Sequence, residues 1–205
     1  MIKYYVRTTG ERALDKSFSQ INYTLLIDKE HQPIKSFIKQ LEIISDSDAV
    51  LLEDDIILCD NFKEHIEKVI NEHPNRIINF FTYPVLYFKT DESKTFMYNQ
   101  CTYYPKGIGK VVADEMKKIT NIKQYDVIEY MALNKLKIKH IRYRPCLVQH
   151  IDYSSLIGNT CNNRRTPYFI DYLNELGISY EDAEKSDNKA KLQALLKQKF
   201  EEKEQ

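Results

Sequence analysis

From Met1 to Pro84 the chain alternates short apolar runs with segments of helical period, and few architectures accommodate that rhythm. "IKYYVRTT" reads as a strand, followed by a loop and then a helix running through "LDKSFSQI". "NYTLLID" is a second strand, ending on Asp28. Pro33 opens a helix in which Ile34, Phe37, Ile38 and Leu41 recur at helical spacing. "AVLL" follows as a third strand, and "NFKEHIEKVINEH" as an amphipathic helix capped by Asp60 or Asn61, with Pro74 beyond its end. "RIINFFTY" is a fourth strand. Strands separated by helices of this length predict an α/β fold with a mostly parallel sheet flanked by helices.

Beyond Pro84 the pattern changes. "VLYFKTDESKTFMYNQCTYYP" reads as a β-hairpin with a polar turn near Asp91–Ser93. Two helices follow in "KGIGKVVADEMKKI" and "DVIEYMALNKL", then strand again in "KIKHIRYRPCLVQHI", broken at Pro145. After Tyr180 the residues are mostly charged, with Leu192, Leu195, Leu196 and Phe200 forming a thin apolar stripe. That tail reads as a solvated surface helix; a helix docked on the body and a partner-binding helix are the alternatives. The organisation expected is a body over 1–178 and a charged helical extension over 179–205.

Composition narrows the class. Thirty basic residues against thirty acidic ones give no net charge, so the chain as a whole offers no electrostatic footprint for nucleic acid. The four cysteines, Cys59, Cys101, Cys146 and Cys161, have neither CxxC nor metal-ligand spacing and read as reduced core thiols. The start "MIKYYVRTTG" is strand-like rather than signal-like, and no stretch approaches the ~20 apolar residues of a membrane span. The expectation is a soluble, cytoplasmic protein without a transmembrane segment.

"AVLLEDDIIL" sets the chemical question. Glu53, Asp54 and Asp55 repel one another, yet the aliphatic runs on either side fix them beside the core. In a parallel α/β sheet ligands bind outside the carboxyl ends of the strands, where this triplet falls. A hard divalent cation, Mg²⁺ or Mn²⁺, would relieve the repulsion and could also hold phosphates. The bland alternative is a solvated acidic loop. His150, after the apolar run of "RPCLVQH", could turn its imidazole to the same strand-end cleft, or be a satisfied structural histidine.

Together, "VLLEDDIILCDNF", "NQCTYYPKGIGKVV" and "PCLVQHIDYSSLIGN" resemble small glycosyltransferases of the GT-A fold, bacterial and phage sugar transferases with an acidic EDD motif of the DxD type. The likeness spans roughly the first three-quarters of the chain. It implies a GT-A-like nucleotide-binding sheet with a β-hairpin and a C-terminal helical tail. It also implies a nucleotide-sugar donor, usually a UDP-sugar, with Mn²⁺ or Mg²⁺ on the diphosphate. Carried over by position, Asp55 is the metal ligand and His150 a further one. Asp54 assists the metal, ribose or sugar, and Glu53 orients the loop. Arg7, Thr8 and Arg12 match the first-strand loop around the nucleotide, and Asp28 the second-strand position near base or ribose. Gln100 would meet a sugar hydroxyl. Ser154 and Ser155 could donate to phosphate oxygens, and Arg164 and Arg165 could hold the diphosphate or a charged acceptor.

An acceptor hydroxyl must lose its proton. Similar enzymes often hold a general base where Asp126 opens a helix, with Glu129 on the same face as the alternative; a plain N-cap is the competing role for Asp126. The acceptor could be a glycan, lipid, protein or modified nucleic-acid base. Two other classes remain at this stage. One is a metal-dependent phosphotransferase or nuclease, against which stands the lack of a GxxxxGK[ST] loop or a second acidic set. The other is a non-enzymatic nucleotide- or partner-binding module.

Overall fold

The structure is a computed structural model and describes residues 1–81, 91–93, 99–151, 165–183 and 185–201. In chain order its elements begin with β1 (Lys3–Thr8), a 3₁₀ turn (Lys16–Gln20), β2 (Tyr23–Ile27), α1 (Pro33–Ile44), β3 (Ala49–Glu53), β4 (Ile56–Leu58), α2 (Phe62–Glu72) and β5 (Ile77–Asn79). They continue with β6 (Asp91–Ser93), β7 (Cys101–Tyr104), α3 (Ile108–Met116), α4 (Tyr125–Lys135), β8 (His140–Arg142), β9 (Val148–His150), α5 (Ile170–Leu176) and α6 (Ser186–Glu201).

A seven-stranded sheet has the order β2-β1-β3-β7-β5-β8-β6. Strands β1, β2, β3, β5 and β8 run one way, and only β6 and β7 oppose them. The fold is therefore α/β with a mostly parallel sheet, a separate two-stranded antiparallel ribbon of β4 and β9, and a C-terminal helix. Both faces of the sheet are apolar because helices cover both. The period-two alternation divides the strands cleanly. Tyr4, Val6, Val50 and Leu52 join α2, α5 and α6 on one side, through Phe62, Ile66, Leu173 and Leu192. Tyr5, Ala49, Leu51 and Tyr104 join α1, α3 and α4 on the other, through Phe37, Leu41, Val112 and Ile128.

Three local expectations are corrected. The segment after β1 closes into a short 3₁₀ turn rather than a helix because its polar side chains serve other elements. Ser17 Oγ accepts from the Leu58 amide at 2.9 Å, and Gln20 Nε2 donates to the Cys59 carbonyl at 3.0 Å. Gln20 Oε1 also accepts from the Phe62 amide at 3.1 Å, so it caps α2 from a distant turn. Asn61 holds the N-cap position in a left-handed conformation, but its side chain makes no capping bond. Asp91–Ser93, expected as a turn, is strand β6, paired antiparallel with β8; most of the surrounding expected hairpin lies outside the described residues. Finally, α6 is docked rather than solvated: Leu192 and Leu195 are buried in the main core, and Lys199 pairs with Glu175 of α5 at 2.9 Å. Cys59, Cys101 and Cys146 are free, buried thiols. Among the described residues no helix is long and apolar enough to cross a membrane.

Helices α1 and α3 approach most closely at Gly109, where a β-carbon would clash with the Leu41 carbonyl. Main-chain contacts reinforce the approach: the Gly107 amide donates to the Ser45 carbonyl at 2.8 Å. The Gly109→Ala variant is expected to force the helices apart and cost about 1–3 kcal/mol, visible as a fall of several degrees in Tm by circular dichroism. An unchanged Tm would show that the contact is soft.

Candidate active site

The acidic triplet lies at the carboxyl end of β3, with Glu53 closing the strand and Asp54 and Asp55 turning into β4. Parallel pairing sets Arg7 of β1 directly beside Glu53. Their side chains meet with Arg7 Nη1 3.3 Å from Glu53 Oε1, while the Tyr125 hydroxyl donates to the same oxygen at 2.6 Å. The guanidinium carbon of Arg7 also sits 4.7 Å from the Phe37 ring centre and 4.5 Å from that of Tyr125, within cation–π range. Burial and the nearby Asp55 charge raise the Glu53 carboxyl above the usual range, against the pull of Arg7 and Tyr125. Glu53 thus faces inward and anchors the strand end.

Asp54 and Asp55 share a different arginine. Nη1 of Arg12, on the loop after β1, lies 3.5 Å from Asp54 Oδ1 and 3.2 Å from Asp55 Oδ2. The ribbon brings in His150, because β4–β9 pairing sets it opposite Ile56 and places its Nε2 3.4 Å from Asp55 Oδ2. Burial raises both carboxyls. For Asp54 it prevails over a hydrogen bond from Thr8; for Asp55 the hydrogen bond and charge of His150, with Arg12, outweigh it and hold the group below its usual range.

Two carboxylate oxygens, Asp54 Oδ2 and Asp55 Oδ1, are buried and have no hydrogen-bond partner among the described residues. An ionised acceptor left this way is costly, so the pair fits a cation. Among the described residues, no group of three or more His, Cys, Asp or Glu side chains forms a ready metal cage. The donor set suits a hard divalent ion in another way. Mg²⁺ commonly takes one or two carboxylates from the protein and the rest of its shell from substrate phosphates and water.

A second polar layer lies beneath the triplet. Glu129 of α4 is fully buried, with Oε1 accepting from the Tyr104 hydroxyl and Oε2 from Asn99 Nδ2, both at 2.7 Å. Burial raises this carboxyl to about 8 despite those two bonds and the field of Arg7. Both Glu129 oxygens are thus taken by partners within the core. Asp126, one turn earlier, is half-buried in the first turn of α4 and accepts from the Val127 amide at 2.9 Å. Gln100, just before β7, accepts the Glu53 amide through its carbonyl at 3.0 Å. Its side-chain Oε1 is buried without a partner among the described residues.

Thr8 and Asp28 meet at the ends of β1 and β2, where the Asp28 amide donates to the Thr8 carbonyl at 2.8 Å. Ser154, Ser155 and Arg164 lie outside the described residues, and Arg165 is half-buried. The structure thus gathers Arg7, Thr8, Arg12, Glu53, Asp54, Asp55, Gln100 and His150 around one strand-end region, with Asp126 beside Tyr125. Sequence reasoning missed Phe37 and Tyr125 as the platform under Arg7, and Asn99 and Tyr104 as the partners of Glu129. A signal for Glu129 existed, since it shares helical spacing with the buried Ala132 and Leu133. Gln149 was also missed: its amide donates to the Thr166 carbonyl and accepts from the Thr166 amide, each at 2.8 Å, clamping the returning chain beside β9.

No protein-family model matches the chain, and no curated protein matches it in sequence. Among solved structures, it is similar to the crystal structure of A197 from STIV, with a TM-score of 0.46 and 11% sequence identity over 73% of this chain and 85% of that one.

The buried Glu129 carboxyl makes stability depend on pH. Its pKa rises from the usual 4.5 to about 8 on folding, so over that window the native state holds a proton that the unfolded chain has released. The group's stabilising contribution is complete below the window and is lost as pH rises through it. Glu129→Gln, which keeps the bond from Tyr104 as it stands and the one to Asn99 once the Asn99 amide turns over, should gain Tm over the wild type at pH 8 relative to pH 4.5. Parallel pH–Tm curves for the two proteins would contradict a proton stored at Glu129.

Proposed function

We propose that the protein is a metal-dependent glycosyltransferase that moves a sugar from a nucleotide-sugar donor, a UDP-sugar, to an acceptor hydroxyl. The observation that carries this reading is the convergence at the carboxyl end of β3. There, Asp54 and Asp55 keep two buried oxygens without partners among the described residues, beside His150, at the strand ends where parallel α/β sheets bind their ligands. The resemblance to GT-A-fold sugar transferases, carried in part by the same residues, points the same way.

The chain's own residues divide the work. Asp55, Asp54 and His150 would hold Mn²⁺ or Mg²⁺, which when bound supplies positive charge against the diphosphate that departs. Thr8, Arg12 and Asp28 border the place for the nucleotide, and Gln100 offers an acceptor oxygen to a sugar hydroxyl. Glu53 keeps the strand end in position through Arg7 and Tyr125. Asp126 is the base: as the acceptor oxygen bonds to the anomeric carbon and the bond to the phosphate oxygen breaks, the acceptor proton passes to its carboxylate.

The class is tested by thermal shift with nucleoside diphosphates and nucleotide sugars, with and without Mn²⁺. Stabilisation by a nucleotide only when Mn²⁺ is present is expected; none with any nucleotide would count against the reading. Asp55→Ala should keep the fold and lose Mn²⁺-dependent UDP binding in calorimetry, and retained binding would remove Asp55 from the metal. Asp126→Asn should bind donor normally while transfer falls by about 10²–10⁴-fold. A rate close to wild type would clear Asp126 of the role of base.

A further inference from the structure

Arg12 places a permanent positive charge where the preceding reading puts a divalent ion. A guanidinium does not lose its proton in proteins, so its charge stays at every working pH. One nitrogen, Nη1, serves both aspartates, at 3.5 Å from Asp54 Oδ1 and 3.2 Å from Asp55 Oδ2. Arg7 pairs with Glu53, so Arg12 is the guanidinium that faces Asp54 and Asp55, with the His150 imidazole also on Asp55. A divalent ion bridging the same two carboxylates would meet Arg12 across a few ångströms of largely desolvated space. Asp54 is only 7% exposed, so solvent does little to screen that repulsion.

Two further facts point to a ligand rather than to a finished salt bridge. Arg12 leaves Asp54 Oδ2 and Asp55 Oδ1 buried and unbonded among the described residues. On the facing strand end Gln100, 2% exposed, keeps Oε1 in the same condition. Among the described residues the two aspartate oxygens still lack a donor with Arg12 in place. The loop that carries Arg12 is pinned on both sides of it. Thr8 Oγ1 accepts from the Gly10 amide at 2.8 Å, with Gly10 at a φ of +83° that favours glycine, and Asp15 accepts from the Ser17 amide at 2.8 Å. The main chain can therefore stay while the long side chain of Arg12 changes rotamer.

We propose that Arg12 is an exchangeable internal cation: it holds Asp54 and Asp55 until a divalent ion takes them, then turns to the diphosphate that the ion brings. The exchange with the ion follows from the geometry alone; the diphosphate as second partner rests on the function proposed above. Guanidinium and phosphate match in a two-bond geometry, so the displaced side chain gains a partner as good as the one it lost. Metal and nucleotide then help each other to bind. The metal releases Arg12, and the phosphates receive it, so each ligand must raise the other's affinity by the same factor.

The test uses the full chain as wild type, Arg12→Ala and Arg12→Gln. Mn²⁺ alone is titrated first, with free ion read by electron paramagnetic resonance, and UDP is then titrated at saturating Mn²⁺ by calorimetry. With the competing charge removed, both variants should bind Mn²⁺ alone about tenfold more tightly than wild type, and UDP about tenfold more weakly in its presence. Mn²⁺ affinity that is unchanged or reduced in a folded variant would overturn the exchange. If Mn²⁺ tightens but no protein binds UDP, the exchange stands and the nucleotide reading fails. If Mn²⁺ tightens and UDP binding is undiminished, Arg12 leaves the aspartates but does not receive the diphosphate, and the second half of the proposal falls. Should the alanine variant not fold, the polar, uncharged glutamine variant carries the same comparison.

Discussion

Carboxylates crowded at the end of a core strand must be matched by positive charge, and the neighbouring strand supplies it here. Arg7 lies in register with Glu53 across the β1–β3 pairing, and Arg12 reaches Asp54 and Asp55 from the loop that continues β1. Removing one partner of such a pair is costly because the survivor is left charged and desolvated. That constraint explains the surroundings. The faces of Phe37 and Tyr125 accept the Arg7 guanidinium, and the Tyr125 hydroxyl completes the shell of Glu53. Helices α1 and α4 are thereby fixed against the end of the sheet by a polar contact as well as by their apolar faces.

Asp55 and Glu129 are both buried and differ in their access to positive charge. Asp55 touches both Arg12 and His150 and stays ionised, whereas Glu129 has hydroxyl and amide partners and feels Arg7 only from a distance. A neutral carboxylic acid beneath Asp55 keeps the buried charge count low.

Much of the fold was legible because it follows from local pattern. The strands at Lys3–Thr8, Tyr23–Ile27 and Ala49–Glu53, and the helices from Pro33 and Phe62, appear where periodicity put them. The contrast of charged and aliphatic residues in "AVLLEDDIIL" likewise located the triplet at a strand end. What was not legible depended on register between distant segments. No local signal says that Arg7 will face Glu53, that Gln20 will cap α2, or that Asp91–Ser93 will extend along β8. Leu192 and Leu195 illustrate the same limit: a thin stripe on a charged helix fits a solvated helix and a docked one equally well, and only the groove that receives them decides. A cation at the triplet was anticipated as a bound metal. Among the described residues, the basic groups that meet the triplet are Arg7, Arg12 and His150.

The pairing of Ile56 with His150 has a consequence for how the chain is made. A ribosome releases β1, the Arg12 loop and the acidic triplet long before it reaches His150. During that interval the carboxylates have companions, because both arginines precede them in the chain and β1 and β3 can already pair. The imidazole arrives late, when β9 lays down beside β4 and the Gln149 amide secures the segment that follows. Domains acquire structure from the amino end during synthesis. This order gives the nascent chain electrically compensated carboxylates first, and brings the imidazole to Asp55 only once β9 has emerged.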